Sequence, residues 1–298
     1  MRKNLIGLFI ILSFSLCGQP DLSDSLRLSL YTDPVPNSLE SLEEIVDVSP
    51  TEGRFISNTS TPTLTYYRPP VPKNKAIIIC PGGGYRGVAI DKEGFLVARA
   101  LQKKGYHVFV LKYRSPNDKS NKDKAVAPLQ DAQQALRVAR DYLPPDIGIG
   151  IMGFSAGGHL AATASNFFNY NFIENQAQPT VRPDFSILLY PVITMEDPYT
   201  HEGSRTRLLG SDPPPKQIKR FSAHLQVTGQ TPRVFLVHAS DDRSVPVQNS
   251  LMYYEACIQN GVPAEMHLYP AGGHGFGMYN QTTPDKWMDR LLNWLATF

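Results

Sequence analysis

The chain has 298 residues, 42% of them hydrophobic and 19% charged, a composition that excludes a mainly disordered protein and is long enough for one substantial core. Lys and Arg number 29 against 27 Asp and Glu, so there is no basic surplus of the kind that binds nucleic acid or an anionic membrane surface. Three cysteines, Cys17, Cys80 and Cys257, are too few for a disulfide framework, and Cys80 and Cys257 are expected as buried free thiols.

The first segment stands apart. Arg2 and Lys3 precede the apolar run Leu5–Leu16, which is shorter than the roughly 20 residues a membrane-crossing helix needs. This is the pattern of an export signal over residues 1–18, with cleavage near Gly18 or Gln19, so a periplasmic or secreted location is expected. Cys17 is a candidate for lipid attachment, although Leu16 before it is larger than the residue usual there; a lipid at Cys17 is the one membrane link the chain suggests. Loss of Arg2 and Lys3 lowers the basic count from 29 to 27, leaving the mature protein formally neutral.

Residues 19–60 are rich in Ser, Pro, Asp and Thr and read as a tether followed by edge structure that carries no chemistry. From residue 61 onward the pattern becomes that of a single domain. Strands are predicted at Thr63–Tyr67, Ala76–Cys80, His107–Tyr113, Ile147–Met152, Phe185–Tyr190, Val234–His238 and Glu265–Tyr269. Helical spacing marks Glu93–Lys103, Pro128–Leu143, Ala156–Phe167, Val247–Asn260 and Pro284–Phe298. Alternation of this kind predicts an α/β fold with a mostly parallel central sheet and helices on both faces. Thr194–Thr231 interrupts it with three successive prolines and no long periodic run, as a short cap-like insertion near the carboxyl ends of the strands would.

The strongest chemical signal is Gly153-Phe154-Ser155-Ala156-Gly157, directly after one predicted strand and directly before a small-residue helix. That context is a nucleophile elbow: glycines permit the tight turn that lifts the Ser155 hydroxyl above the sheet. The alternative, a serine that merely caps a helix, explains neither glycine. Serine needs a base to take its proton. Of seven histidines, His107 and His267 lie within strands, His201 and His224 in the insertion, His238 at a strand end and His159 inside the helix after the elbow. His274 alone lies in a glycine-rich loop, Gly272–Gly277, between the last strand and the last helix, where it can swing over the serine. The acid that orients the base is expected after the penultimate strand, and both Asp241 and Asp242 qualify by chemistry.

Cys80-Pro81-Gly82-Gly83-Gly84-Tyr85 follows a strand and offers unobstructed backbone donors. With the N–H of Ala156, those of Gly83 and Gly84 make a candidate oxyanion hole. Gly82, Gly84 and Gly87 also match the spacing of a dinucleotide fingerprint, but no helix opens at the third glycine and the next strand ends in Lys112, Tyr113 and Arg114 rather than an acidic residue. No His, Cys, Asp and Glu cluster has metal-ligand spacing, so no metal is expected.

Pro81–Tyr85, Lys112-Tyr113-Arg114, Gly153–Leu160, Thr231–Pro246 and Gly272–Gly277 together resemble the acetylesterase and feruloyl-esterase-like branch of the α/β-hydrolase superfamily, which includes acetyl xylan esterases. The likeness runs from about Ala76 to the C-terminus and implies an α/β-hydrolase fold. Hormone-sensitive-lipase relatives carry a histidine where Pro81 stands. In the family the acid lies three residues before a Val-Pro pair, which implies Asp242 before Val245-Pro246. The resemblance further implies cofactor-free hydrolysis of small acyl esters on carbohydrates such as acetylated xylan, with Tyr85 a candidate to stack on a sugar ring. Prolyl-oligopeptidase-type exopeptidases share the elbow, the acidic turn and the histidine loop, but normally carry a large N-terminal propeller that the residues before this domain are too few to build. A catalytically silent surface binding protein, the third reading, has no need of all three groups.

Overall fold

A computed structural model of the chain describes residues 25–31, 34–170, 172–173 and 180–298. The export signal expected over residues 1–18 and the candidate lipid site Cys17 lie outside the described residues. The N-terminal part supplies β1 (Ser25–Leu28), β2 (Ile45–Ser49), β3 (Gly53–Ser57) and β4 (Thr63–Tyr67). Strand β5 (Lys75–Cys80) leads through the short β6 (Gly87–Val88) into a π-helical turn at Ile90–Phe95 and α1 (Leu96–Lys103). Then come β7 (His107–Lys112), α2 (Ala127–Tyr142), β8 (Gly148–Phe154), α3 (Ser155–Asn166) and β9 (Phe185–Leu189). The insertion forms α4 (Glu202–Leu209), α5 (Pro215–Phe221) and a 3-10 turn at Ala223–Gln226. The chain closes with β10 (Arg233–Ala239), α6 (Gln248–Gln259), β11 (Ala264–Tyr269) and α7 (Trp287–Leu295).

Eight strands make the main sheet in the order β1-β4-β7-β5-β8-β9-β10-β11. From β7 to β11 every pairing is parallel, while β1 and β4 add an antiparallel edge. Ala76–Cys80 in β5 and Phe185–Leu189 in β9 are wholly buried, as parallel strands covered by helices on both faces must be. Their near-continuous apolar runs are the sequence form of that environment. With β8 near the middle, the loops at its carboxyl end and at those of β5, β10 and β11 converge at one edge, where ligands of open α/β sheets bind. Among the described residues no helix is long and apolar enough to cross a membrane.

Part of the segment read as a tether followed by edge structure is described, and its strand β1 lies at the edge of the main sheet. From Ser25 it is built into the domain, and β2, β3 and β6 form a second, three-stranded sheet. The pairing Ile56↔Val88 and Ser57↔Gly87 lays this hairpin directly on the chain that leaves the glycine loop.

Candidate active site

Strand β8 hands the chain to α3 at Ser155, which sits at φ +51°, a left-handed conformation that an L side chain adopts only under constraint. The constraint is visible in its neighbours. A Cβ on Gly153 would lie 2.1 Å from the Gly157 carbonyl oxygen, and one on Gly157 would lie 2.1 Å from that of Cys80. Both positions therefore require glycine, and the turn presses α3 against the end of β5. Val192 N–H donates to the Ser155 carbonyl at 3.0 Å, fixing the turn from the β9 side.

His274 Nε2 stands 2.8 Å from Ser155 Oγ, and His274 Nδ1 stands 2.6 Å from Asp242 Oδ2. Asp242 follows β10 in a tight turn, where its other oxygen accepts the N–H groups of Ser244 and Val245, each at 2.9 Å. His238 Nε2 lies 3.1 Å from Oδ2, while His238 Nδ1 faces Ser250 Oγ at 2.7 Å. Burial opposes a charge on Asp242, but the hydrogen bonds from His238 and His274 outweigh it and hold the carboxyl far below the usual carboxylate range. Asp242 thus remains an acceptor for His274 Nδ1–H, leaving Nε2 free to accept from Ser155. Asp241, the other acidic candidate, is exposed and accepts Gly273 N–H at 2.8 Å, pinning the histidine loop without touching the imidazole.

The glycine loop lies against the elbow, so that a Cβ on Gly82 would approach the Ser155 Cβ at 3.0 Å. Gly82 N–H is already committed to Glu93 Oε2 at 2.7 Å. The N–H groups of Gly83 and Gly84 have no intramolecular acceptor among the described residues, and Ala156 N–H, in the first turn of α3, has none within its helix. Gly83 packs on Phe55 of β3, so the small sheet forms the floor of this loop.

Tyr85 departs from the expectation of a sugar-stacking residue. It is 2% exposed, its hydroxyl meets His159 Nδ1 at 2.7 Å, and its ring packs edge-on against Tyr113 and His159. With no face toward solvent it holds the loop from beneath. His159 Nε2 donates to the Phe221 carbonyl at 2.7 Å, and burial lowers its pKa to about 4, so this histidine is a neutral strut between α3 and the insertion.

Four residues that the sequence reading did not single out converge here. Glu93, in the π-helical turn, accepts from Gly82 N–H and also from Tyr190 O–H at 2.8 Å. Tyr190 Oη accepts Gly277 N–H at 3.0 Å, and its ring meets the His274 ring edge-on at 5.1 Å between centroids. One buried carboxylate therefore ties the glycine loop to the histidine loop. His201 and Arg207 of the insertion stand over Gly84, from whose Cβ position His201 Cε1 would be 3.7 Å away and Arg207 Nη1 3.5 Å. Among the described residues no group of three or more His, Cys, Asp or Glu is placed to hold a metal ion.

A polarised serine beside free backbone donors is arranged for acyl transfer. Residues 64–257 match the BD-FAE family, and the chain belongs to it. It is 36% identical over 256 residues to an acetylxylan esterase of Xylanibacter ruminicola, a match covering 81% of this chain and 49% of that protein. It is 33% identical over 224 residues to endo-1,4-beta-xylanase B of Butyrivibrio fibrisolvens, covering 72% of this chain and 34% of that one. The chain therefore spans about half the length of the first of these relatives and about a third of the second. Among solved structures, the acetyl ester-xyloside bifunctional hydrolase from Caldicellulosiruptor lactoaceticus superimposes with a TM-score of 0.71 at 37% identity, over 80% of this chain and 88% of that one. The fold is that of the α/β hydrolases, and these likenesses support a carboxylic ester hydrolase.

Proposed function

We propose that this chain is an exported serine esterase that removes short acyl groups, acetate foremost, from carbohydrates such as acetylated xylan. The observation that carries the reading is the relay from Ser155 Oγ through His274 to Asp242, set beside unengaged backbone N–H groups. Ser155 Oγ attacks the ester carbonyl carbon while His274 Nε2 takes its proton. The carbonyl oxygen becomes an oxyanion, for which Ala156 N–H and those of Gly83 and Gly84 are the available donors. Collapse of this intermediate breaks the bond to the sugar oxygen, which leaves with the proton from His274. Water then attacks the acyl-serine with His274 again as base, releasing the carboxylic acid and restoring Ser155. Asp242 keeps its charge throughout, orienting the ring and stabilising the imidazolium.

The preference for a short acyl group is supported by the insertion, in which α4 and α5 provide 8 and 7 residues of helix and little material for a deep apolar lid. The carbohydrate is supported by the names of the relatives. A fluorophosphonate probe should label Ser155, and turnover of p-nitrophenyl esters should be greatest for acetate and fall steeply by octanoate. Acetate should be released from acetylated xylan, with no cleavage of aminoacyl p-nitroanilides. Preference for long acyl chains, or efficient anilide cleavage without ester hydrolysis, overturns the reading. Export is tested separately by mass spectrometry of the mature N-terminus, where a chain beginning at Met1 in the cytoplasm refutes it and a lipid on Cys17 makes the protein membrane-anchored.

A further inference from the structure

His201 and Arg207 take no part in the relay, yet they stand on the same glycine loop that adjoins Ser155. His201 caps α4: its Nδ1 accepts Ser204 N–H at 3.2 Å and lies 2.7 Å from Ser204 Oγ. A backbone amide only donates, so Nδ1 must be the acceptor and the ring proton is on Nε2. Burial first, then the charges of His274 and Arg207, lower the His201 pKa and favour the neutral ring. The result is a neutral N–H donor without a protein acceptor among the described residues.

Arg207 is held differently from its neighbour on the same helix. Arg205 is paired with Asp197 Oδ2 at 3.1 Å. Arg207 directs only Nη1 inward, to the carbonyl oxygens of Gly84 at 3.2 Å and Gly203 at 3.0 Å. Arg207 is an exposed side chain, and those bonds hold one end of its guanidinium against the glycine loop while leaving its Nε and Nη2 edge without a partner among the described residues. No carboxylate there lies within ion-pair distance of it: Asp242 is buried against two histidines, and Asp241 is engaged with Gly273. A planar fork of two N–H donors carrying an uncompensated charge matches a carboxylate, and the N–H of His201 adds a third donor close by.

We infer that His201 and Arg207 form a recognition site for a carboxylate on the carbohydrate that bears the scissile acyl group, making uronate-containing acetylated oligosaccharides the preferred substrates. The inference rests on the esterase reading and narrows its substrate class. Neutral acetylated sugars reach Ser155 as well, but without the charge-assisted contact they bind more weakly.

The test compares two acetylated xylo-oligosaccharides of equal length, one carrying a glucuronic acid branch next to the acetyl group and one without it. In the wild-type protein the KM for the acidic substrate should be about tenfold lower, the scale of one charge-assisted hydrogen-bonded contact. The difference should shrink as salt is raised. Arg207→Gln should abolish it, Arg207→Lys should retain part of it, and Lys104→Gln, the same charge change on an exposed residue at the end of α1, by the amino end of β7, should leave it intact. Equal KM values in the wild type, or a preference that survives Arg207→Gln, overturn the inference. Should Arg207→Gln fail to fold, the wild-type ratio and its salt dependence decide the matter. Hydrolysis of p-nitrophenyl acetate and the neutral oligosaccharide without acidic preference sinks this inference alone, whereas failure to hydrolyse any ester sinks it together with the esterase reading.

Discussion

Asp131 and Asp242 are both buried in the same domain, and both accept a full set of hydrogen bonds, but from donors of different kinds. Asp131, on α2, receives Arg114 N–H at 2.8 Å, Arg114 Nε at 3.0 and 3.1 Å, and Tyr31 O–H at 2.9 Å. Both side chains of the ion pair are fully inaccessible, and the guanidinium is further tied to the carbonyls of Pro36 and Ala127. Its partner is permanently charged, and all three guanidinium nitrogens are engaged. Asp242 is held by two backbone amides and two imidazoles, one of which, His274, is partly exposed and in contact with a strained serine. Both carboxyl side chains are wholly buried. What separates the carboxylate of the proposed relay from the structural one is a neutral, partly exposed partner that itself reaches a serine.

Substitutions at the two places should therefore fail in different ways. Ser155→Ala removes the proposed nucleophile and should lower kcat for p-nitrophenyl acetate by about 10⁴- to 10⁶-fold, with the thermal midpoint nearly unchanged by calorimetry. Asp242→Asn should cost about 10⁴-fold in kcat through the wrong tautomer at His274. It should also alter stability against pH. Because the folded carboxyl titrates below its unfolded value of about 3.9, its ionised form stabilises the fold above that pH, and this stabilisation is lost as pH falls toward the depressed folded value. Denaturant titrations from pH 7 down to pH 2 should show a shallower acid limb in the variant. Asp131→Ala should do the opposite: about 3–5 kcal/mol of stability lost to an uncompensated buried guanidinium, with kcat of the folded fraction changed only a few-fold. Equal damage to activity from both aspartate variants would erase the distinction.

The part of this division that was legible in the sequence is the part written in local pattern. Strand Thr63–Tyr67 matches its prediction residue for residue, and β5, β7, β8, β9, β10 and β11 lie within one or two residues of theirs; the buried β5, β7, β8, β9 and β10 leave largely continuous apolar runs, whereas β4 and the half-buried β11 were legible from alternation and turn signals. Ser155 and His274 were singled out from turn chemistry and chain order, and Asp242 over Asp241 only by the family resemblance; the fold places Ser155 and Asp242 each within hydrogen-bonding reach of His274. The hairpin β2–β3 was not legible, since Ile45, Val46 and Val48 are 51%, 50% and 72% exposed and give no inward-outward alternation. Tyr85 was misread for a related reason: adjacency to the glycines along the chain says nothing of which way its ring turns. His201 and Arg207 lie in a segment without periodicity and become neighbours of Gly84 only through the fold.

Glu93 shows the same limit most clearly, for its partners Gly82 and Tyr190 are far apart in sequence and no spacing announces them. It is a third buried carboxylate and stands between the other two in kind: it has no cation paired to it, and it touches the reacting groups only through Gly82 and Tyr190. Burial pushes its carboxyl above the usual range, against the hydrogen bonds from Tyr190 and Gly82. Glu93→Gln leaves one carbonyl oxygen where two oxygens accept, so either the glycine loop or the histidine loop is released. The expected loss is about tenfold in kcat with KM little changed, and Tyr190→Phe should share most of that loss rather than add to it in a double-mutant cycle. Additive losses would mean that the two loops are not coupled through this bridge.

The smallest effect sharpens the comparison most finely, because it sets two adjacent aspartates against each other. Asp241 is exposed, accepts one amide from the histidine loop, and makes no contact with the imidazole. An asparagine retains a carbonyl oxygen for Gly273 N–H, so Asp241→Asn should change kcat for p-nitrophenyl acetate by no more than about twofold, as expected of an exposed side chain worth a few tenths of a kcal/mol. Asp241→Ala removes the acceptor and loosens a loop of four glycines, so its loss should be a few-fold and appear in kcat before KM. A loss at Asp241→Asn comparable to that at Asp242→Asn would show that the loop's charge, rather than the carboxylate bound to Nδ1, controls the base, and the contrast between a carboxylate held by a guanidinium and one held by an imidazole would have to be drawn elsewhere.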